Sequence, residues 1–408
     1  MKRIHTLVPL VALAALAACS DQPTAPAAAV PQTPAAADKV GSYIVVLKGE
    51  DAMSPSFARV AVGEVTEKTQ VHADRVFSHV LPGFAARLTP AQVEALRADP
   101  TVAYVEEDAP VRLFTTQTTN LPWGLDRIDQ RNRPLSLSFT YTAAGSGVNV
   151  YILDTGITLT HLNIVGRANY VPNGNGGDFV NDGRGNASDC NGHGSHVAGT
   201  AAGVYSGIAK AATVWGARVV NCSGGGNASM VIAAMDWVAA NGLKPGVVNM
   251  SLGYGNVQSV ADAATRLVAA GFVVAVAAGN GDFLGRPLNA CNEAPAKAPN
   301  VLTVGATDNT DKEASFSNYG TCVDLLAPGV NITSSYYAVD NQVTDMSGTS
   351  MASPHVAGVA AAYLSTNPTA TPATVMTAIK NNTTNNVITL HNRSRQNGTP
   401  NKLLFTNY

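Results

Sequence analysis

Val148-Asn149-Val150-Tyr151-Ile152-Leu153-Asp154-Thr155-Gly156 is an apolar run that stops on a carboxylate and a turn glycine. A short continuous apolar segment bounded by turn residues reads as a strand buried on both faces. The same pattern recurs at Val214–Val220, Val247–Leu252, Phe272–Ala278 and Val301–Val304, with helical stretches around His196–Gly203, Ser229–Asn241, Val260–Ala270 and Ser350–Leu364. Strands alternating with helices predict an α/β fold, a mostly parallel sheet covered on both faces. Ligands of such sheets bind outside the carboxyl ends of the strands. Asp154 and Asn280 both fall at those ends.

Two further segments carry reactive groups. Asn191-Gly192-His193-Gly194-Ser195-His196-Val197-Ala198-Gly199 holds an imidazole, and Ser347-Gly348-Thr349-Ser350-Met351-Ala352-Ser353-Pro354-His355 a hydroxyl. A serine hydroxyl is a weak nucleophile without a base to take its proton, and histidine is suited to take it. A carboxylate then fixes the imidazole tautomer and stabilises the imidazolium. Ser350 also opens a helix, whose free N–H groups favour developing negative charge. Each residue alone has an ordinary reading. An Asp after a strand is usually a turn or cap residue; His161, His196 and His355 read as structural; and Ser353 is a competing hydroxyl. The joint occurrence in the order Asp154, His193, Ser350 is what points to catalysis.

On these three motifs the chain resembles the subtilisin-like serine proteases, and within them the proteinase K and aqualysin branch. The resemblance implies a subtilisin-like fold and an endopeptidase of broad specificity that works through an acyl-enzyme on protein and peptide substrates. Asn280, in Ala277-Ala278-Gly279-Asn280, would donate to the oxyanion. Gly224, Gly225 and Gly226 on one side and Ser251, Leu252 and Gly253 on the other resemble the two edges between which a peptide lies as an added strand. Ala277, Ala278 and Gly279, with Leu252, would line the primary specificity pocket. Two departures bear on that pocket: the segment Asp282–Pro287 lengthens a loop beyond that of aqualysin, and Glu293 stands where proteinase K has a tyrosine. Glu293 is expected to admit Lys or Arg before the scissile bond, alongside apolar residues, with a side chain turned to solvent as the alternative. A silent binding protein on the same fold at the cell envelope is the second functional reading.

Structural Ca²⁺ is also implied by the resemblance. Asp324 with the carbonyls of Pro299 and Val301 matches one site; Asp126, Asp129, Gln130 and Ser136 match another. Of five cysteines, four follow Cys19, and four allow three pairings. The resemblance favours Cys190–Cys222 and Cys291–Cys322. A zinc site is the competing reading, without a Cys-x-x-Cys or His-x-x-His pair among them to support it.

The ends and the composition fit an exported hydrolase. The chain is 408 residues long, 46% hydrophobic and 13% charged, with a formal net charge of −2. Near-neutral charge leaves no electrostatic footprint for nucleic acid or a membrane surface. Residues 1–19 read as a signal peptide, basic at Lys2-Arg3 and apolar from Leu7 to Ala18. Leu16-Ala17-Ala18-Cys19 resembles a bacterial lipobox, an incidental Cys behind an Ala-rich cleavage site being the alternative. The expected location is therefore extracellular, by way of a lipid-anchored precursor if Cys19 is acylated, as a monomer without a transmembrane span. Residues 20–41 form a Pro/Ala-rich linker. Residues 42–114 read as a small α+β, ferredoxin-like unit: strands at Tyr43–Leu47, Gly83–Leu88 and Val102–Glu106, a helix from about Ser54 to Val76, and a second helix capped by Thr89, with Pro90 in its first turn and Gln92 completing a capping box. Its order is similar to the inhibitory propeptide of the family, an intramolecular inhibitor. The catalytic domain then spans 116–408, after a cut between Leu113 and Thr118.

Overall fold

A computed structural model describes residues 40–48, 55–79, 81–108 and 115–408. The signal segment, Cys19 and the linker up to residue 39 lie outside the described residues, as does the stretch 109–114. The chain divides into two compact units, within residues 1–111 and 112–408.

In the first unit β1 (Gly41–Leu47), α1 (Pro55–Thr69), β2 (Arg75–Phe77), β3 (Gly83–Leu88), α2 (Pro90–Arg97) and β4 (Val102–Glu107) follow one another. The strands form an antiparallel sheet in the order β2-β3-β1-β4. Val62 and Val65 of α1 and Val93 and Leu96 of α2 pack with Val45, Phe84 and Leu88 from the strands. The capping box of α2 forms as the sequence indicates: Gln92 N donates to Thr89 Oγ1 at 3.3 Å, and Thr89 N donates to Gln92 Oε1 at 3.0 Å. One expectation needs correction. The first helix does not run to Val76 but ends at Thr69, because Gln70 turns into the left-handed region at φ 54° and the chain re-enters as the short strand β2.

The second unit opens with β5 (Thr115–Gln117), α3 (Trp123–Ile128), β6 (Phe139–Tyr141), β7 (Asn149–Asp154), β8 (Ala168–Tyr170), α4 (His193–Ala202), β9 (Thr213–Arg218), α5 (Ala228–Asn241) and β10 (Gly246–Met250). It continues through α6 (Gln258–Ala269), β11 (Val273–Ala277), β12 (Leu302–Thr307), β13 (Leu325–Pro328), β14 (Ile332–Ser335), β15 (Val343–Met346), α7 (Thr349–Thr366), α8 (Pro372–Asn381), β16 (Thr384–Asn385), α9 (Asn392–Gln396) and β17 (Lys402–Leu403). Nine strands make one sheet in the order β16-β17-β13-β12-β11-β10-β7-β9-β8, parallel throughout except where β16 meets β17.

The quoted apolar run is β7, near the centre of this sheet and buried along its whole length. Its residues alternate between two cores: Val150 and Ile152 pack under α4 and α7, while Tyr151 and Leu153 pack under α5 and α6. Burial on both faces is why the sequence shows no polar alternation there. The arrangement leaves the carboxyl ends of β7, β9, β10 and β11 side by side, and the reactive groups collect at those ends.

Candidate active site

Asp154 is the last residue of β7 and His193 the first of α4. They meet because α4 starts almost on top of the turn after β7. A Cβ on Gly194 would collide with the carbonyl oxygen of Gly156, so only glycine allows that approach. Gly194 N donates to Thr155 Oγ1 at 2.9 Å, and the buried Asp189 carboxylate gathers Thr155 Oγ1, Asn191 N, Gly192 N and Ser195 N at 2.9–3.0 Å. His193 Nδ1 then lies 2.7 Å from Asp154 Oδ1, which also accepts from Thr155 N at 2.8 Å. An ionised carboxylate can only accept, so Nδ1 carries the proton and Nε2 is left free to accept one. Burial disfavours imidazolium, but the charge and hydrogen bond of Asp154, with the charge of Asp189 behind them, outweigh it and raise the His193 pKa.

Ser350 is the second residue of α7, where backbone N–H groups have no intrahelical partner. Pro354 lies four residues on and cannot donate to the Ser350 carbonyl. That carbonyl instead accepts from Ser251 Oγ at 2.8 Å. Asn249 Nδ2 donates to Ser251 Oγ at 2.9 Å, and Ser353 Oγ donates to Asn249 Oδ1 at 2.7 Å. Ser353 is fully buried in this brace and is not exposed to any substrate. Ser350 Oγ donates to Ser251 O at 3.3 Å and makes no direct bond to His193.

Asn280 is oriented by the same helix end. Thr349 N and Thr349 Oγ1 both donate to Asn280 Oδ1 at 2.8 Å, which fixes the amide and leaves Nδ2 to donate elsewhere. A methyl built on Gly348 would lie 3.3 Å from Asn280 Nδ2 and 3.5 Å from Ser350 N, so two unspent donors border one small space. Asn318, buried, clamps both sides of Asn280: Nδ2 donates to Ala278 O at 2.9 Å and Oδ1 accepts from Gly281 N at 3.0 Å and Leu288 N at 2.7 Å.

Beside these groups a cleft of about 370 Å³ is lined by Asp154, His193, Gly224, Gly225, Gly226, Ser251, Leu252 and Gly253, so both expected substrate edges border it. The pocket expectation changes in one respect. The Ala278 methyl is buried in the core, and its N–H and carbonyl are engaged by Val304 O and Asn318 Nδ2. Both disulfides form, Cys190–Cys222 and Cys291–Cys322, closing loops of 32 and 31 residues. Each loop closure is worth on the order of 3–4 kcal/mol in the chain-entropy account.

The remaining histidines of the motifs are structural. His161 Nδ1 accepts from Asn163 N at 3.1 Å, so its Nε2 donates to Gln342 O at 2.8 Å. His196 Nε2 donates to Ile332 O and His355 Nδ1 to Met351 O, each at 2.8 Å. Burial pulls the pKa of both His196 and His355 down to about 4. An unfolded histidine titrates near 6.5, so the unfolded chain takes up these protons first as the pH falls. Their contribution is complete above about pH 6.5 and is lost on the way down to about 4, on the order of 3 kcal/mol each. His193 and the Asp129 carboxyl, which burial pushes up to about 6, are shifted the other way and offset part of this trend. Urea unfolding of an inactive variant should therefore show a markedly lower midpoint at pH 4.5 than at pH 7, and His355→Gln should shrink that difference.

The two implied calcium sets differ in fit. Among the described residues no group of three or more His, Cys, Asp or Glu side chains is disposed to hold a metal, so any site would rest on mixed oxygen donors. Asp126, Asp129, Gln130 and Ser136 do come together. Ser136 N donates to Asp126 Oδ1 and Gln130 Oε1 at 3.0 and 2.9 Å. Asp129 Oδ2 accepts from Thr140 N, but its Oδ1 is buried with no partner. An orphaned carboxylate oxygen next to a second carboxylate suits a hard cation. Asp324 does not fit: Lys380 Nζ sits 2.8 Å from its Oδ1 and Thr303 N donates to its Oδ2 at 3.0 Å. The carboxylate is already neutralised by a tethered ammonium, and the set with Pro299 and Val301 is set aside.

Comparison with known proteins agrees with this geometry. Residues 145–402 match the subtilase family (Peptidase S8) and residues 42–114 match the peptidase inhibitor I9 family. The chain is 42% identical over 418 residues to the extracellular serine proteinase of Thermus sp. (strain Rt41A), covering 97% of this chain and 98% of the relative. It is 39% identical over 375 residues to proteinase R of Parengyodontium album, covering 90% and 89%. A solved structure of a cold adapted subtilisin-like serine proteinase is 44% identical with a TM-score of 0.65, covering 71% of this chain and all of that one. The chain belongs to the subtilase family. It is a serine-type endopeptidase carrying an inhibitor propeptide, with the subtilisin-like sheet that the sequence predicted.

Proposed function

We propose that Ser350 is the nucleophile, His193 its general base and later the acid to the leaving amine, Asp154 the group that orients His193, and Asn280 with the Ser350 amide the oxyanion donors. The observation that carries this reading is the 2.7 Å contact of His193 Nδ1 with Asp154 Oδ1 at the sheet's carboxyl end, in the cleft that Ser251 shares. On substrate binding the Ser350 hydroxyl turns from Ser251 O to His193 Nε2, attacks the scissile carbonyl and passes its proton to the ring. The negative oxygen is met by Asn280 Nδ2 and the serine N–H at the start of α7. Collapse expels the amine with the proton from His193, and water completes the cycle by the same route. The glycine-rich edge at Gly224–Gly226 and the edge at Ser251–Gly253 take the peptide through its main chain, which gives broad sequence tolerance. The experiment is irreversible labelling by a phosphonofluoridate: the account expects one adduct, on Ser350, and a silent binding protein would give none.

The enzyme is made as a zymogen whose I9 unit inhibits it until autoproteolysis between Leu113 and Thr118, and it acts outside the cell, a reading supported by the Thermus relative, which is named an extracellular serine proteinase. No helix among the described residues is long and apolar enough to cross a membrane. A calcium ion at Asp126, Asp129, Gln130 and Ser136 would supply charge compensation for the Asp129 carboxylate and stiffen the entry to β6. Added calcium should then raise the melting temperature by several degrees, and chelation should reverse the gain. Asp129→Asn should abolish the response, and Asp324→Asn should keep it.

A further inference from the structure

We propose that Glu293 makes the primary pocket accept a lysine or arginine side chain on the acyl side of the scissile bond at least as readily as an apolar one; this rests on Ser350 being the nucleophile. The acyl oxygen belongs between Asn280 Nδ2 and the Ser350 amide. The side chain on the same residue must then drop into the gap between two strand-end segments, Ser251–Gly253 and Ala278–Asn280. Each holds a glycine: Gly253 turns its open side toward Glu293, whereas a Cβ on Gly279 would strike Asn318 before it reached Glu293. A Cβ built on Gly253 would lie 3.9 Å from Glu293 Oε2, and one on Gly279 would lie 3.8 Å from Glu293 Cγ, so this side chain bridges the two walls.

Its carboxylate is held and only half spent. Gly255 N donates to Oε2 at 3.1 Å, while Oε1 has no hydrogen bond and Glu293 no salt bridge among the described residues. The nearby cations are engaged elsewhere. Lys297, whose N–H donates to Glu293 O at 2.7 Å, places its Nζ on Asn256 Oδ1, and Arg286 pairs with Asp282. A partly buried carboxylate without its own cation, fixed by one backbone amide beside Gly253, has the chemistry of a receptor for an ammonium or guanidinium.

The test compares kcat/KM for tetrapeptide anilides that differ only in Lys or Phe before the anilide bond. The wild-type enzyme should cleave the Lys substrate at least as well as the Phe one, and Glu293→Gln should lower the Lys-to-Phe ratio about tenfold or more, the worth of a hydrogen bond to a charged group. Butylguanidinium should also inhibit the wild-type enzyme competitively at a concentration about tenfold below that needed with n-pentanol. A ratio unchanged by Glu293→Gln, or equal inhibition by the charged and neutral probes, overturns the proposal. Failure to cleave either substrate, with Ser350 unlabelled, would instead overturn the protease reading beneath it.

Discussion

Ser350→Ala lowers kcat by about 10⁶-fold and leaves the precursor uncut. The magnitude is the one known for the nucleophile of a subtilisin and is carried over to this chain. The physical reason lies in how completely the helix start is organised around one hydroxyl. Ser251, Asn249 and Ser353 fix the Ser350 carbonyl, and Thr349 fixes Asn280, so the hydroxyls of Ser251, Ser353 and Thr349 are each spent on a structural bond. The fold should be unaffected, since the lost hydroxyl makes a single 3.3 Å bond. Two readouts check this together: anilide hydrolysis, and the persistence of the full-length chain on a denaturing gel. A variant that still processes itself within the same cell would place the nucleophile elsewhere.

Asp154→Asn is expected to cost about 10⁴-fold in kcat at neutral pH. The amide can donate to His193 Nδ1 and so leave the ring with its proton on Nε2, where the base should be. It also removes the charge that holds the His193 pKa up against burial. The residual activity should therefore have an acid limb displaced to lower pH. Asp154 Oδ1 accepts from both His193 Nδ1 and Thr155 N, so an amide nitrogen placed there also forfeits the Thr155 bond, about 1 kcal/mol of stability.

The main sheet, its two helical layers and the motif segments that meet at its carboxyl ends were legible because each leaves a local mark. β7 is an unbroken apolar run, the α2 cap is written in Thr89, Pro90 and Gln92, and the glycines around His193 announce a close backbone approach. What was not legible is long-range. Ser251 meets Ser350 across 99 residues and Asn318 meets Ala278 across 40, so neither the brace nor the clamp has a sequence spacing to betray it. Lys380 cancels a calcium ligand 56 residues away, which no motif match to Asp324 could register. The overlong first helix failed for a smaller reason: Gln70 adopts φ 54°, a conformation that glycine or asparagine would have signalled.

The central claim is that an Asp154-held His193 deprotonates Ser350, and the pH dependence of Ser350 phosphonylation measures it directly. The account predicts a rate that rises through a single ionisation with a midpoint above the ordinary histidine value of about 6.5. In Asp154→Asn the rate falls by orders of magnitude and the midpoint moves below that value. Labelling that ignores pH across this range, or that proceeds equally fast in the variant, would contradict it.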